Sequence, residues 1–74
     1  MITMRRRDLE RRLLAELRKA QDCEAAANVA VHPLDDGGWS ISNFNAGTSD
    51  RDACADALSE IEERLQGEIR LADG

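Results

Sequence analysis

The chain has 74 residues, with 15 acidic and 10 basic side chains and a formal net charge of −5 at pH 7. This length predicts one domain over 1–74, and an apolar content of 42% excludes wholesale disorder. No run of even ten apolar residues occurs, which excludes a transmembrane helix and a membrane partner. Much of the apolar content is alanine, so the core is thin, and domains this small often need a partner chain or a covalent staple.

The cysteines and the start of the chain bear on the compartment. Arg5, Arg6 and Arg7 are followed by a charged run rather than the apolar segment of a secretory signal. Cys23 and Cys54 lie 31 positions apart and form no C-x-x-C pair. We therefore predict a cytoplasmic protein with two reduced thiols that pack as small apolar side chains. A structural disulfide is the alternative.

Residues 5–22 have the periodicity of an amphipathic helix. The apolar positions that share one helical face are Leu9, Leu13, Leu14, Leu17 and Ala20. Arginine, glutamate and lysine fill most of the other positions, and no glycine or proline interrupts the segment. We therefore predict a first helix over 5–22, with Asp8 and Arg12 as a favourable i,i+4 pair.

Two segments alternate with the period of two that is typical of β-strands, 28–34 and 39–44. Val29 and Val31 share one face of the first, and Trp39 and Ile41 share one face of the second. The segments are separated by Asp-Asp-Gly-Gly at 35–38, which favours a tight hairpin turn.

Two residues mark irregularities in this hairpin. Pro33 lacks a backbone N–H, so we place it at an edge or at the strand end. Phe44 is out of phase with the preceding apolar positions. Either a bulge lies near Asn43, or the strand has already ended and Phe44 packs from a loop.

A second helix is predicted from residue 49, with Thr48 or Ser49 as the natural N-cap. Its apolar stripe consists of Cys54, Leu58, Ile61 and Leu65. Gly67 leaves two alternatives. We favour a continuous helix over 49–72, because a glycine inside a helix costs only about 1 kcal/mol. Alternatively the helix covers 49–66, Gly67 caps it, and 68–72 forms a short third strand.

The predicted fold class is α+β, of order α-β-β-α, with a two-stranded antiparallel hairpin packed on two helices. The predicted core includes Leu13, Leu17, Val29, Val31, Trp39, Ile41, Leu58, Ile61 and Leu65. A lone hairpin is marginal in water and leaves open edges. We therefore predict a homodimer, since pairing two copies would hide an edge and enlarge the core.

Charge is distributed unevenly along the chain. Residues 1–19 carry a net charge of +4, residues 20–47 of −4 and residues 48–74 of −5. The candidate partner-binding residues are Arg5, Arg6, Arg7, Arg11 and Arg12, and an acidic protein surface suits them. Alternatively the basic first helix lies against the acidic second helix, or both simply face water.

The acidic side chains of the second helix form a matching feature. Asp52, Asp56, Glu60 and Glu63 could face water, dock onto a basic protein or imitate nucleic acid. Direct nucleic-acid binding by the arginines is disfavoured by a pI near 4.7 and by a chain with only two aromatic residues.

The sequence contains no recognisable catalytic, metal-binding or phosphate-binding motif. The single histidine, His32, has no partner that the sequence reveals, and cysteine–histidine chemistry would need Cys23 or Cys54 nearby. Zinc would require about four Cys or His ligands, and the chain has three. We therefore predict no enzyme, cofactor or metal, and keep a small ligand-binding protein or enzyme using His32 or a cysteine as an alternative.

One local pattern is similar to part of the HicB-type antitoxins. Asp36-Gly37-Gly38-Trp39, a strand, a Gly-Thr loop and an alanine-rich acidic helix carry the resemblance over residues 29–66. The chain lacks the family's P-x-x-P-G segment and places a helix first. The resemblance implies an antitoxin-like regulator as an alternative. The function predicted from the sequence is a noncatalytic acidic protein-interaction or regulatory module that acts as a homodimer.

Overall fold

Two helices and a hairpin form the body of an α+β fold, as the periodicities predict. The structure is a computed structural model that describes residues 2–35 and 37–72. Its elements are β1 (Ile2–Met4), α1 (Arg6–Arg18), β2 (Asn28–Pro33), β3 (Trp39–Asn45), α2 (Arg51–Gln66) and β4 (Ile69–Leu71). The predicted order α-β-β-α is confirmed, and a short strand precedes it and another follows it.

The first helix buries the apolar stripe that predicts it. Leu9, Leu13 and Leu17 of α1 are fully buried, and the helix lies against β2 and α2. It ends four residues earlier than predicted, at Arg18. Beyond it the chain turns through Asp22, which has a positive φ of 67°. A helix cannot continue through that conformation, so the predicted end at residue 22 is wrong.

The hairpin contains a bulge, which is the first of the two alternatives that the phase of Phe44 leaves open. The register between β2 and β3 shifts between Ala30 and Val31, so β3 has one extra residue, Ser42. This irregularity lies beside Asn43, where the alternation predicts it. Because of the extra residue, Phe44 stays in the strand and packs half-buried against the core. The predicted turn residue Asp36 lies outside the described residues.

At one residue pair of the hairpin, a carboxylate accepts a hydrogen bond from the backbone at each of the two edges. Val31 and Ile41 are paired across the strands. The Val31 N–H donates to the Glu10 carboxylate of α1 at 2.9 Å, and the Ile41 N–H donates to the Glu62 carboxylate of α2 at 2.7 Å. Backbone N–H groups that already donate to a carboxylate are not available to pair with a further strand. The open hairpin edges that motivate the predicted homodimer are therefore occupied at this level.

The favoured continuous helix over 49–72 is wrong, and the alternative with a third strand is confirmed. Gly67 is the C-cap of α2, and β4 pairs in parallel with β1, with Ile69 opposite Ile2. The Ile2 N–H donates to the Glu68 carbonyl oxygen at 2.9 Å. Because β1 supplies hydrogen bonds and Ile69 is buried, strand formation replaces the last helical turns. β1 itself was not predicted.

The N-cap of α2 is Asp50, not Thr48 or Ser49. The Asp50 carboxylate accepts hydrogen bonds from the N–H groups of Asp52 at 2.9 Å and Ala53 at 3.3 Å. The Ser49 hydroxyl instead accepts the Ala25 N–H at 3.0 Å. The positive end of the helix dipole also stabilises a carboxylate at this position.

The core agrees with the prediction except at Ile41, which is only half-buried. Trp39 is its largest member and is 1% exposed. Its indole Nε1–H donates to the Ile69 carbonyl oxygen at 3.0 Å, and the Gln66 amide donates to the Trp39 carbonyl oxygen at 2.8 Å. Trp39 therefore ties the hairpin to the end of α2 and to β4.

The predicted pair of reduced thiols is wrong, because Cys23 and Cys54 form a disulfide. Their Cα atoms lie 5.5 Å apart, within the range for such a bond, and both side chains are fully buried. The bond joins the segment after α1 to the first turn of α2. Closing a loop of this size stabilises the fold by about 3–4 kcal/mol in the chain-entropy view, so it supplies a staple for the thin core.

Among the described residues, neither helix has the length and apolar character needed to cross a membrane.

Candidate functional site

The candidate arginines lie at the start of α1. Arg5 is the N-cap residue, and the other four belong to the first two turns of the helix. All five side chains are exposed. We refer to Arg5, Arg6, Arg7, Arg11 and Arg12 as the arginine cluster.

Only one arginine of this cluster is used in an ion pair with a described residue. Arg12 lies 3.5 Å from the Glu16 carboxylate, one turn further along α1. Within residues 2–35 and 37–72, no ion pair involves the other four cations of the cluster. Their charges are therefore available to a partner.

The ion pair between the helices has the opposite polarity to the one that the charge pattern suggests. Glu16 of the basic helix α1 meets Arg64 of the acidic helix α2 at 2.8 Å, and Lys19 approaches the same carboxylate at 3.5 Å. The arginine cluster is thus not held by attraction to α2.

The Glu16 carboxyl titrates below its usual range. Burial acts to raise its pKa, but the nearby cations Lys19, Arg64 and Arg12 outweigh burial and lower the pKa below its ordinary value of 4.5. Glu16 is therefore ionised near neutral pH and holds the two helices together at one point.

Arg6 and Arg7 also line a groove of about 710 Å³ beside the hairpin turn. Its other lining residues are Pro33, Leu34, Asp35, Gly37, Gly38, Leu71 and Ala72. Leu34 is 43% exposed, which makes it one of the few large apolar side chains at the surface. The groove combines apolar side chains with two cations and one carboxylate, that of Asp35, whereas Arg5, Arg11 and Arg12 lie outside it.

The sequence alone does not reveal this groove. Leu34 is the last residue of the predicted strand over 28–34, and the pattern identifies it only as an apolar residue next to a turn. Leu71 reaches the groove because β4 forms, which the favoured continuous helix would not allow. The Leu71 N–H donates to the Gly37 carbonyl oxygen at 3.3 Å, and this bond joins β4 to the turn.

The acidic face of α2 is a second charged surface. Asp52, Asp56, Glu60 and Glu63 are all exposed, opposite the buried stripe of the helix. No ion pair within the described part of the chain involves any of the four.

The structure does not unite the residues considered for chemistry. His32 is exposed in β2, while Cys23 and Cys54 are buried and joined to each other. A disulfide sulfur is not a thiolate nucleophile, so this pair offers no cysteine–histidine catalysis while oxidised. Across residues 2–35 and 37–72, no three His, Cys, Asp or Glu side chains are grouped to hold a metal ion.

Comparison with known proteins finds no family model, no curated protein and no solved structure that matches this chain. The local resemblance over residues 29–66 therefore assigns no family.

Proposed function

We propose that this chain is a noncatalytic protein-interaction module, homodimeric, whose contacts with partners are steered by charge through the arginine cluster. The observation that carries the proposal is the set of four exposed arginines, Arg5, Arg6, Arg7 and Arg11, that form no ion pair with a described residue. Cations that the fold does not use are free to attract an anionic surface.

The groove refines the kind of partner. Arg6 and Arg7 lie beside the exposed Leu34 and the half-buried Leu71. An acidic segment that carries one apolar side chain would satisfy both features, with the apolar side chain between the leucines and the carboxylates beside Arg6 and Arg7, away from Asp35. Charge complementarity of this kind accelerates encounter and weakens as salt increases.

The decisive variant replaces Arg5, Arg6 and Arg7 with alanine. Affinity capture from the native lysate with the unchanged protein identifies the partner, and capture with the variant should retain much less of it. The melting temperature should stay the same, because exposed charges outside ion pairs contribute little to folding. Undiminished capture by a folded variant would refute the role of the cluster.

A matched control separates this surface from net charge. Asn28→Asp, Ser42→Asp and Thr48→Asp together lower the net charge by the same three units at exposed positions away from the cluster. This variant should capture the partner as the unchanged protein does. Equal loss in both variants would show that only the overall charge matters.

The alternative of a nucleic-acid-associated or antitoxin-like regulator would use the same arginines. It predicts a gel shift with a labelled duplex or RNA that weakens with salt and disappears in the triple-alanine variant. Such a shift would replace the protein partner in the proposal. An unshifted nucleic acid beside a captured protein would support the proposal as stated.

The proposal includes a homodimer, but the thin core and the open hairpin edges are no longer the main reasons for it. The disulfide stabilises the core, and Glu10 and Glu62 occupy the hairpin edges at Val31 and Ile41. What favours self-association is the unused charge of both signs. Light scattering at micromolar concentration should give about twice the chain mass of 8.2 kDa, and a monomer mass at every dilution would exclude the dimer.

We also propose a cytoplasmic location, and the cysteine pair provides its test. A reducing compartment keeps Cys23 and Cys54 as thiols, whereas the structure joins them. Alkylation of acid-quenched cells should modify both cysteines without prior reduction if the protein is cytoplasmic. Modification only after reduction would indicate an oxidising compartment.

A further inference from the structure

The two helices present ridges of opposite charge. Arg7, Arg11 and Arg18 form the basic ridge of α1, and Asp52, Asp56, Glu60 and Glu63 form the acidic ridge of α2; all seven are exposed. Both ridges span eleven positions, or about 16 Å at the rise of a helix. Residues four and eleven positions apart lie on one line of a helix, because eleven residues complete about three turns.

Neither ridge is neutralised by the described part of the chain. The ion pairs between described residues all converge on Glu16, which belongs to neither ridge. Arg18 donates from Nε to the Ala26 carbonyl oxygen at 2.9 Å, which orients its side chain and leaves its charge uncompensated.

The topology places the ridges side by side and antiparallel. α1 lies against β2 and α2 lies against β3, so the helices form one layer on the hairpin. α1 starts directly after β1, and α2 ends directly before β4. Since β1 and β4 are paired, the start of α1 and the end of α2 lie at the same end of the layer.

We propose that the outer face of this helix layer is the homodimer interface, with a second copy of the chain as its occupant. A two-fold axis parallel to the helices places α1 of each copy over α2 of its partner. The basic ridge of each copy then covers the acidic ridge of the other, twice in one dimer. This inference rests on the homodimer of the proposed function and names its surface. It assigns Arg7 and Arg11 to the second copy and leaves Arg5 and Arg6 to the anionic partner.

The match extends along the length of the ridges. Because α1 and α2 run in opposite directions within one copy, the docked helices also run in opposite directions. Arg7 then lies near the Glu63 end of the partner helix, and Arg18 lies near the Asp52 end. A two-fold interface requires this self-complementarity of a single surface. Exposed ion pairs are individually weak and screened by salt, so the dimer should dissociate as ionic strength rises.

Charge reversal on one ridge at a time tests this interface. Arg7→Glu, Arg11→Glu and Arg18→Glu together make both ridges acidic. Asp56→Lys, Glu60→Lys and Glu63→Lys together make both ridges basic, because three of the four acidic side chains of the α2 ridge become cations. Each variant alone should raise the dissociation constant of the dimer by at least about tenfold. An equal mixture of the two should form a heterodimer, because the altered ridges of the two variants carry opposite charges and so do their unaltered ridges.

The chain that carries all six substitutions is the matched control. Its formal net charge equals that of the unchanged protein, and its ridges are complementary again with exchanged signs. It should form a homodimer with an affinity within about threefold of the original and with the same salt dependence. Melting temperatures establish that each variant folds, and single substitutions Arg11→Glu and Asp56→Lys repeat the test should a triple variant be unstable.

The outcomes separate this interface from the proposed function. A mixture that fails to associate, or a dimer indifferent to single-ridge reversal or to salt between about 0.05 and 0.5 M, overturns the interface. A monomer that still captures a protein through the arginine cluster overturns the interface and leaves the interaction module. A monomer without any captured partner overturns both.

Discussion

The hairpin and the β1–β4 pair are held in different ways, although both are two-stranded. β2 and β3 have six and seven residues and follow each other across a short turn. β1 and β4 have three residues each, and the paired residues Ile2 and Ile69 lie near opposite ends of the chain. The hairpin therefore rests on local alternation, whereas the parallel pair exists only when the rest of the fold has brought the two ends together.

The hydrogen bonds show that the β1–β4 pair depends on the hairpin, whereas the hairpin does not depend on the β1–β4 pair. The hairpin has a long ladder of its own, and Glu10 and Glu62 cover its edges. β4 depends on the hairpin, because the Trp39 indole binds its Ile69 carbonyl and the Gly37 carbonyl binds its Leu71 N–H. Weakening the hairpin should thus release the parallel pair, while loss of the parallel pair should leave the hairpin in place.

The largest effect is expected at Trp39, which joins the two regions. Trp39→Ala should destabilise the fold by about 3–5 kcal/mol, since it empties the largest side-chain volume of the core. That is most of the stability of a small domain. Trp39→Phe is the control, because it keeps an aromatic ring but removes the N–H to Ile69. It should cost less and still accelerate amide hydrogen exchange in β4 relative to β2 and β3. Unchanged melting of Trp39→Ala would contradict the buried position.

Two glycines at the ends of these regions should respond in opposite directions. Gly47, just after the hairpin, has a φ of +65°, and a Cβ there would collide with the Ala25 carbonyl oxygen. Gly47→Ala should cost about 1–3 kcal/mol. Gly67, just before β4, has helical dihedrals, and a Cβ there would make only an ordinary van der Waals contact with the Arg64 carbonyl oxygen. Gly67→Ala should be neutral or stabilising by up to about 1 kcal/mol. Urea unfolding of both variants measures the difference, and equal losses would refute it.

The covered hairpin edge can be opened at Glu62. Glu62→Ala removes the acceptor of the Ile41 N–H and should cost about 1–2 kcal/mol, since a partly buried donor is left without a charged partner. Glu63→Ala removes a neighbouring exposed carboxylate and should change the stability by less than about 0.5 kcal/mol. Chemical denaturation at low protein concentration compares the two. A similar cost for both would mean that Glu62 contributes only charge.

The smallest effect is expected at Glu16, which links α1 to α2 through its ion pair with Arg64. Its folded pKa is lowered by Lys19, Arg64 and Arg12 despite burial, so its ion pairs stabilise the fold above the ordinary pKa of 4.5 and lose this contribution as the pH falls. Glu16→Gln should lower the melting temperature slightly at pH 7. The difference from the unchanged protein should shrink as the pH falls below 4.5 and through the lowered pKa of the folded state, where the carboxyl becomes protonated. A difference independent of pH would assign Glu16 a packing role alone.

The charged surfaces illustrate how far the chain alone predicts a site. Helical spacing and polarity are enough to expect that Arg7 and Arg11 face outward, as the structure has them. That they form no ion pair with a described residue is a tertiary property, because it depends on which acidic side chains the fold brings near them. The groove beside Arg6 depends on β4 and on the turn, so no local pattern could have indicated it.

The elements that can be predicted from the chain alone are those whose signal is local: the leucine stripe of α1, the alternation of β2 and β3, and the apolar stripe of α2. Tertiary contacts select the remaining features, which are the β1–β4 pair, the end of α2 at Gly67 and the bond between Cys23 and Cys54. In each of these, a residue finds its partner across a long stretch of chain. Periodicity reports which face of an element is apolar, but it carries no information about which distant backbone or side chain will lie against it.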